Sequence, residues 1–205
     1  MALAKFSWTV RRASLAGRVE RAGDGGFSLL EVLFATTILT VALVSLAQLF
    51  TISTRANTSA RVTTFSAVLA QQKMEQLRGL TWGFDSLGLP LTDTTTNITV
   101  VPETATGGLG LTSSPAGTLS ANIDGYCDYV DASGNALGSG TTPPAGTVFI
   151  RRWSVEPLPT NPNNTLVLQV LVTRNRDRGT ADTATGVTRL PDEARIISVK
   201  TRKAT

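Results

Sequence analysis

Apolar residues are continuous in one stretch near the N-terminus, then recur at helical spacing, then alternate in short runs toward the C-terminus. The continuous stretch is Phe27–Phe50, 24 residues with no Gly, no Pro and a single charge. A bilayer core takes about 20 apolar helical residues, so this run predicts a membrane-spanning helix. The helix does not stop at Phe50. No Gly or Pro occurs before Gly79, and Val62, Phe65, Leu69, Leu77 and Leu80 continue at helical spacing with Ala70 and Met74 beside them. Glu75 and Arg78 add a supporting pair, and Gly79 is a C-cap candidate. The predicted helix from Phe27 to Arg78 is therefore about 78 Å long at 1.5 Å per residue.

The second half of the chain reads as β-structure. Asn97–Val101 alternates and predicts a strand. Thr104–Gly146 holds nine of the 18 glycines and reads as turns and loops around a short strand at Tyr126–Val130. Thr147–Glu156 predicts a strand with Phe149, Trp153 and Val155 on one face. Thr165–Thr173 is nearly all apolar and predicts a central, covered strand. Pro157, Pro159, Asn161 and Pro162 form the connection between them. Ala194–Thr201 predicts a last strand, after a polar loop over Arg174–Pro191. The fold class is α+β: a long N-terminal helix, with a membrane-spanning half and an amphipathic half, packed on a C-terminal antiparallel β-sheet.

Charge orients the span. The formal net charge is +4, and residues 1–26 hold five basic side chains (Lys5, Arg11, Arg12, Arg18, Arg21) against Glu20 and Asp24. The remainder is nearly balanced. Basic residues ahead of the span keep the N-terminus cytoplasmic and export the C-terminal bulk. A cleavable secretory signal has a shorter apolar region followed by a small-x-small site; this run is longer, and Ala47-Gln48-Leu49 is a poor site. A plain signal anchor leaves Glu31 unexplained. A carboxylate near a bilayer centre costs roughly 2.5–3.5 kcal/mol, less at shallow depth, and no Lys or Arg lies between Arg21 and Arg55. A cut just before Phe27 would create a partner, because a free α-amino group is largely cationic at neutral pH.

The run Gly26-Phe27-Ser28-Leu29-Leu30-Glu31 resembles the prepilin cleavage signal of type IV pilins and type II secretion pseudopilins. The resemblance implies cleavage after Gly26 by a prepilin peptidase, N-methylation of Phe27, and a role for Glu31 in filament assembly. It implies residence in the bacterial inner membrane with an exported head, then in a pilus or pseudopilus. The expected partners are that peptidase, other pilin or pseudopilin subunits and the inner membrane. The segment Leu69–Arg78 and the Arg152-Trp153 pair resemble minor subunits, and the lone Cys127 departs from the disulfide-closed loop common in major pilins. The implied organisation is a cleaved leader (1–26), an assembly helix (27–50), an amphipathic helix (51–80) and an exported head (81–205) whose 104–146 stretch is loop-rich.

Composition removes most chemistry. The chain has one Cys and no His, which excludes His-dependent triads and a disulfide framework, and one Cys cannot build a thiolate zinc site. No phosphate-binding motif appears. The expectation is a non-enzyme without cofactor or metal. Asp124, Asp128 and Asp131 fit no calcium loop and read as solvated loop acids. Trp82, Tyr126 and Trp153 read as core. Arg174, Arg176 and Arg178, and Lys200, Arg202 and Lys203, form two basic clusters able to grip phosphates. Solvated loop and tail is the simpler reading, so nucleic acid is not an expected partner. The functional expectation is a structural subunit that helps start or cap a filament; the alternative is a filament-borne adhesin or DNA-uptake receptor.

Overall fold

The computed structural model describes residues 26–175 and 193–202. The chain divides into two compact units, Met1–Leu49 and Phe50–Thr205. One helix, α1 (Leu29–Gly79), runs through the boundary. It starts where the Ser28 carbonyl accepts from the Glu31 and Val32 amides at 2.9 and 3.1 Å. At its other end Lys200 Nζ donates to the carbonyls of Arg78 and Leu80, satisfying acceptors that a helix end leaves open.

The described part of the first unit is the apolar half of α1. Its large side chains are exposed along the whole run from Phe27 to Leu49. Its hydroxyls are not left open: Thr37, Thr40 and Ser45 each donate to the carbonyl four residues earlier, at 2.7–2.9 Å. That back-bonding masks hydroxyl polarity within the helix itself, which lets a Thr-containing run remain suitable for lipid. The helix is long and apolar enough to cross a membrane.

The second unit packs the rest of α1 on a five-stranded antiparallel sheet. Its strands are β3 (Cys127–Val130), β4 (Ala136–Ser139), β5 (Phe149–Pro157), β6 (Thr165–Arg174) and β7 (Ala194–Thr201), in the order β4-β3-β5-β6-β7. Trp153 pairs with Val170, and Val170 with Ile196. The α+β class holds, as does the antiparallel succession of the last three strands. Leu69, Ala70, Met74 and Leu77 of α1 join Phe149, Trp153, Val155 and the inward residues of β6 in one core. Trp82, Tyr126 and Trp153 are all buried in it.

Four details differ from the sequence expectation. The central strand is β5, not β6, because β3 pairs along its other side; residues 149–155 are buried on both faces although two of them are arginines. Asn97–Val101 is not a strand. Asn97 Oδ1 accepts from the Thr99 amide (3.0 Å) and hydroxyl (2.6 Å), an Asx turn that competes with a ladder. Only Asn97 bridges, to Thr104. The loop folds tightly onto this turn: a Cβ at Gly108 would lie 2.2 Å from Asn97 Cα, so only glycine fits. Third, a hairpin of β1 (Trp82–Phe84) and β2 (Pro90–Thr92) occupies a stretch for which the sequence predicts no strand. Its turn is held by Asp85, which accepts from the Leu87 and Leu89 amides. Strands of three residues, one opening on proline, are too short to show a period. Fourth, β4 lies in the stretch read as loops, and its alternation is too weak to announce it.

Candidate functional site

The sequence-predicted site lies at the start of α1. Gly26, Phe27 and Ser28 precede the first helical residue, and Glu31 stands in the first turn, four residues after Phe27. Phe27 is 82% exposed. A Cβ at Gly26 would meet nothing within 4 Å, and its φ lies outside the left-handed region. The described residues therefore give no internal reason for glycine at that position. The leader expected at 1–26 lies, apart from Gly26, outside the described residues.

Glu31 is exposed and its carboxylate makes no hydrogen bond or ion pair with any described residue. The Ser28-x-x-Glu31 spacing matches a capping box, in which the acid would reach back to the Ser28 amide; that bond is not formed among the described residues. An acid in the first turn still gains from the helix dipole, typically about 0.3–1 kcal/mol at the surface. That gain is smaller than the roughly 2.5–3.5 kcal/mol that a carboxylate costs deep in a bilayer.

A second polar constellation sits in the head, where sequence reasoning named no site. Lys73, Asp128 and Arg151 meet between α1 and the sheet. Lys73 Nζ lies 2.7 Å from Asp128 Oδ2, and Arg151 donates to both Asp128 oxygens from Nε (2.7 Å) and Nη2 (2.8 Å). Arg151 also donates to Gln72 Oε1 at 3.1 Å, and Lys73 donates to the Ile98 carbonyl. Lys73 Nζ stands 4.7 Å from the centre of the Trp153 ring. Burial pulls the Lys73 pKa down to about 8, against the opposing attraction of Asp128. Asp128 is fully buried, so reading it as a solvated loop acid was wrong: β3 carries it onto the helix-facing side of the sheet. A signal was available. Lys73 lies midway between Leu69 and Leu77 on the apolar stripe, and Arg151 lies between Phe149 and Trp153 on the face expected to be apolar.

The other acids are not brought to Asp128. Asp131 closes its own turn, accepting from the Asn135 side-chain Nδ2 and from the Asn135 and Ser133 backbone amides, and those bonds, the side-chain one first, hold its pKa below the usual carboxylate value. Among the described residues no group of three or more His, Cys, Asp or Glu could hold a metal ion. Cys127 is buried beside Tyr129, and both hydrogen-bond to the Gly140 carbonyl, at 3.1 and 2.6 Å. Desolvation raises both pKa values.

The C-terminal basic cluster is used inside the chain. Arg202 stacks 3.6 Å from the Trp82 ring centre and donates from Nη1 to the carbonyls of Gly83 and Leu91, both at 3.0 Å. Lys200 is committed to the end of α1 as described above. Arg176, Arg178 and Lys203 lie outside the described residues.

No protein-family model, no curated protein and no solved structure matches this chain.

Proposed function

We propose that this chain is a minor type IV pilin or pseudopilin, a structural subunit that helps initiate or cap a filament. In this reading a prepilin peptidase cuts between Gly26 and Phe27 and methylates the new amino group of Phe27. The apolar helix anchors the subunit in the inner membrane with its head exported, and later joins the helices of sister subunits in the filament. The chain binds no cofactor and catalyses no reaction.

The observation that carries the reading is the exposed apolar half of α1, in which Glu31 is the one charge up to Phe50 and has no partner among the described residues. An acid in such a surface is costly unless a cation meets it. The cation that cleavage creates lies four residues away in the same chain, and each sister subunit brings another. Gly26 supports the reading independently. Nothing among the described residues requires a glycine there, which is in keeping with a peptidase that must approach the backbone closely.

The test is the N-terminus of the chain recovered from membranes of cells that hold a prepilin peptidase. Sequencing should begin at Phe27 with one added methyl group. A chain that begins at Met1 or after Gln48 would refute the assignment. A reporter active only after export, fused after Thr205, should be active.

A further inference from the structure

The head carries a convex apolar feature at one end and a concave one at the other. The convex feature is the β1–β2 hairpin. Its base is fixed by the buried Trp82 and by Arg202, which stacks on that ring. Its far side holds three leucines in the open: Leu87, Leu89 and Leu91 are 82%, 59% and 49% exposed. Single exposed leucines are ordinary on a surface, but a cluster is the usual mark of an interaction site. From Phe84 to Thr92 the one charge is Asp85. Its Oδ1 accepts both turn amides, from Leu87 and Leu89, so Oδ2 is left to meet a cation from outside.

The concave feature is a cleft of about 650 Å³ where the seam between α1 and the sheet stays open. Val62, Phe65 and Val68 form its helical wall and Phe149 its sheet wall. Phe65 and Phe149 meet at 5.2 Å between ring centres and floor it. Two guanidinium groups, Arg61 and Arg174, line it, and no carboxylate does. Arg61 is exposed and makes no hydrogen bond or ion pair with any described residue. A volume in this range takes several side chains.

Strand register keeps the two features apart. Phe149 pairs with Arg174 at the cleft end of β5 and β6, and Pro157 with Leu166 at the other end. Thr165 pairs with Thr201 at that other end, and the next residue, Arg202, holds the hairpin. The length of β5 between them is about 27 Å, so the hairpin cannot fill the cleft of its own chain.

We propose that the hairpin of one copy docks in the cleft of a second copy, head to tail. Leu87 and Leu89 lie against Val62, Phe65 and Val68, and Asp85 faces Arg61. Charge selects this occupant: the hairpin has an acid and no basic residue, and the cleft has basic residues and no acid. Burial of the leucines supplies affinity, and the ion pair at the rim supplies orientation. Because the two surfaces differ, each docked pair leaves a hairpin free at one end and a cleft at the other. Association therefore extends and does not close as a twofold dimer. The inference stands on the head alone and is independent of where the leader is cut.

The test uses the full chain held in an amphipathic polymer, so that no free detergent competes for the cleft. One sample carries Ser86→Cys on the hairpin and another Thr64→Cys at the cleft, both at exposed positions. Cys127 is buried and common to all samples. The two are mixed and treated with a short bismaleimide, and covalent dimers are measured on denaturing gels. Mixed dimers are expected at several times the yield of either sample alone. Leu89→Asp in the hairpin partner should cut that yield about tenfold or more, since it brings a charge into an apolar cleft. Arg61→Glu in the cleft partner should cut it about two- to fivefold, as a rim ion pair does. Leu89 and Arg61 are exposed, and unchanged tryptophan fluorescence confirms that the variants fold. Absence of mixed dimers would overturn the inference. So would a yield that Leu89→Asp leaves unchanged, or an equal yield when Ile197→Cys, on the outer face of the sheet, replaces Thr64→Cys. More dimer from Ser86→Cys alone than from the mixture would show a symmetric hairpin contact and overturn the head-to-tail arrangement.

Discussion

Lys73 Nζ sits 2.7 Å from Asp128 Oδ2, with both side chains fully out of solvent. This contact joins the helix to a strand 55 residues later, and Arg151 completes it from the neighbouring strand. A buried ion pair seldom adds net stability, because desolvation offsets the attraction. It does penalise misplacement: sliding α1 along the sheet by one turn would take Lys73 from Asp128 and leave its ammonium buried without a partner, while Asp128 and Arg151, both on the sheet, stay paired. The arrangement therefore fixes which turn of the helix meets the sheet.

Removing the shared acid should be far worse than removing one cation. Asp128→Asn leaves Lys73 and Arg151 buried side by side, and should cost about 3–5 kcal/mol. Lys73→Met keeps the two-bond contact of Arg151 with Asp128 and orphans chiefly the Ile98 carbonyl, for about 1–2 kcal/mol. Denaturant unfolding of the detergent-solubilised chain, followed by tryptophan fluorescence, measures both. Equal losses would show that the three side chains do not act as a unit.

The same lysine sets a pH dependence with a definite sign. Burial lowers its pKa from 10.5 to about 8, so between those values the unfolded chain holds more protons than the folded one. Stability from this group therefore rises with pH across that window. Cys127 and Tyr129, whose pKa values are raised, act in the opposite sense, but they are common to the parent and Lys73→Met. The stability of the parent relative to Lys73→Met should increase from pH 8 to 10.5. A flat or falling difference would mean that Lys73 keeps its proton when buried.

Arg202 should behave as a structural latch. Arg202→Ala removes the stack on Trp82 and two donors to the hairpin carbonyls, and should cost about 1–3 kcal/mol. Arg202→Lys should recover less than half, because an ammonium cannot stack on the ring and reach both carbonyls at once. Proteolysis near the β1–β2 hairpin should speed up in the same order. An unchanged midpoint for Arg202→Ala would free this residue for an external partner.

Gly26→Val should block processing while leaving membrane insertion and the stability of the head unchanged. A Cβ at this position meets none of the described residues, so the expected defect lies in recognition by the peptidase. Normal cleavage of this variant, seen by mass spectrometry, would contradict the assigned cut.

Glu31→Ala should insert and be cleaved normally, since a lost charge makes the span more apolar. Its incorporation into filaments should fall. Glu31→Gln separates charge from shape, and should fail like Ala if pairing with an α-amino group is the role. Normal recovery of both variants in sheared filaments would leave Glu31 without a part in assembly.

Sequence alone determined the parts whose signal is local. Phe27–Phe50 is apolar without interruption, and Gly79 is the first glycine or proline after it, so the helix and its end were legible. Runs of eight to ten residues with apolar alternation or a continuous apolar stretch carry a strand signal, so β5, β6 and β7 were legible too. Tertiary structure decided what depends on distant partners. Asp128 reads like any acid in a glycine-rich stretch until β5 pairs beside it and brings Arg151 within reach. Lys200 and Arg202 read as a solvated basic tail until β7 carries them to the end of α1 and the first hairpin. Whether a charge is solvated or buried is set by what covers it, and here the covering residues lie some 20 to 120 positions away.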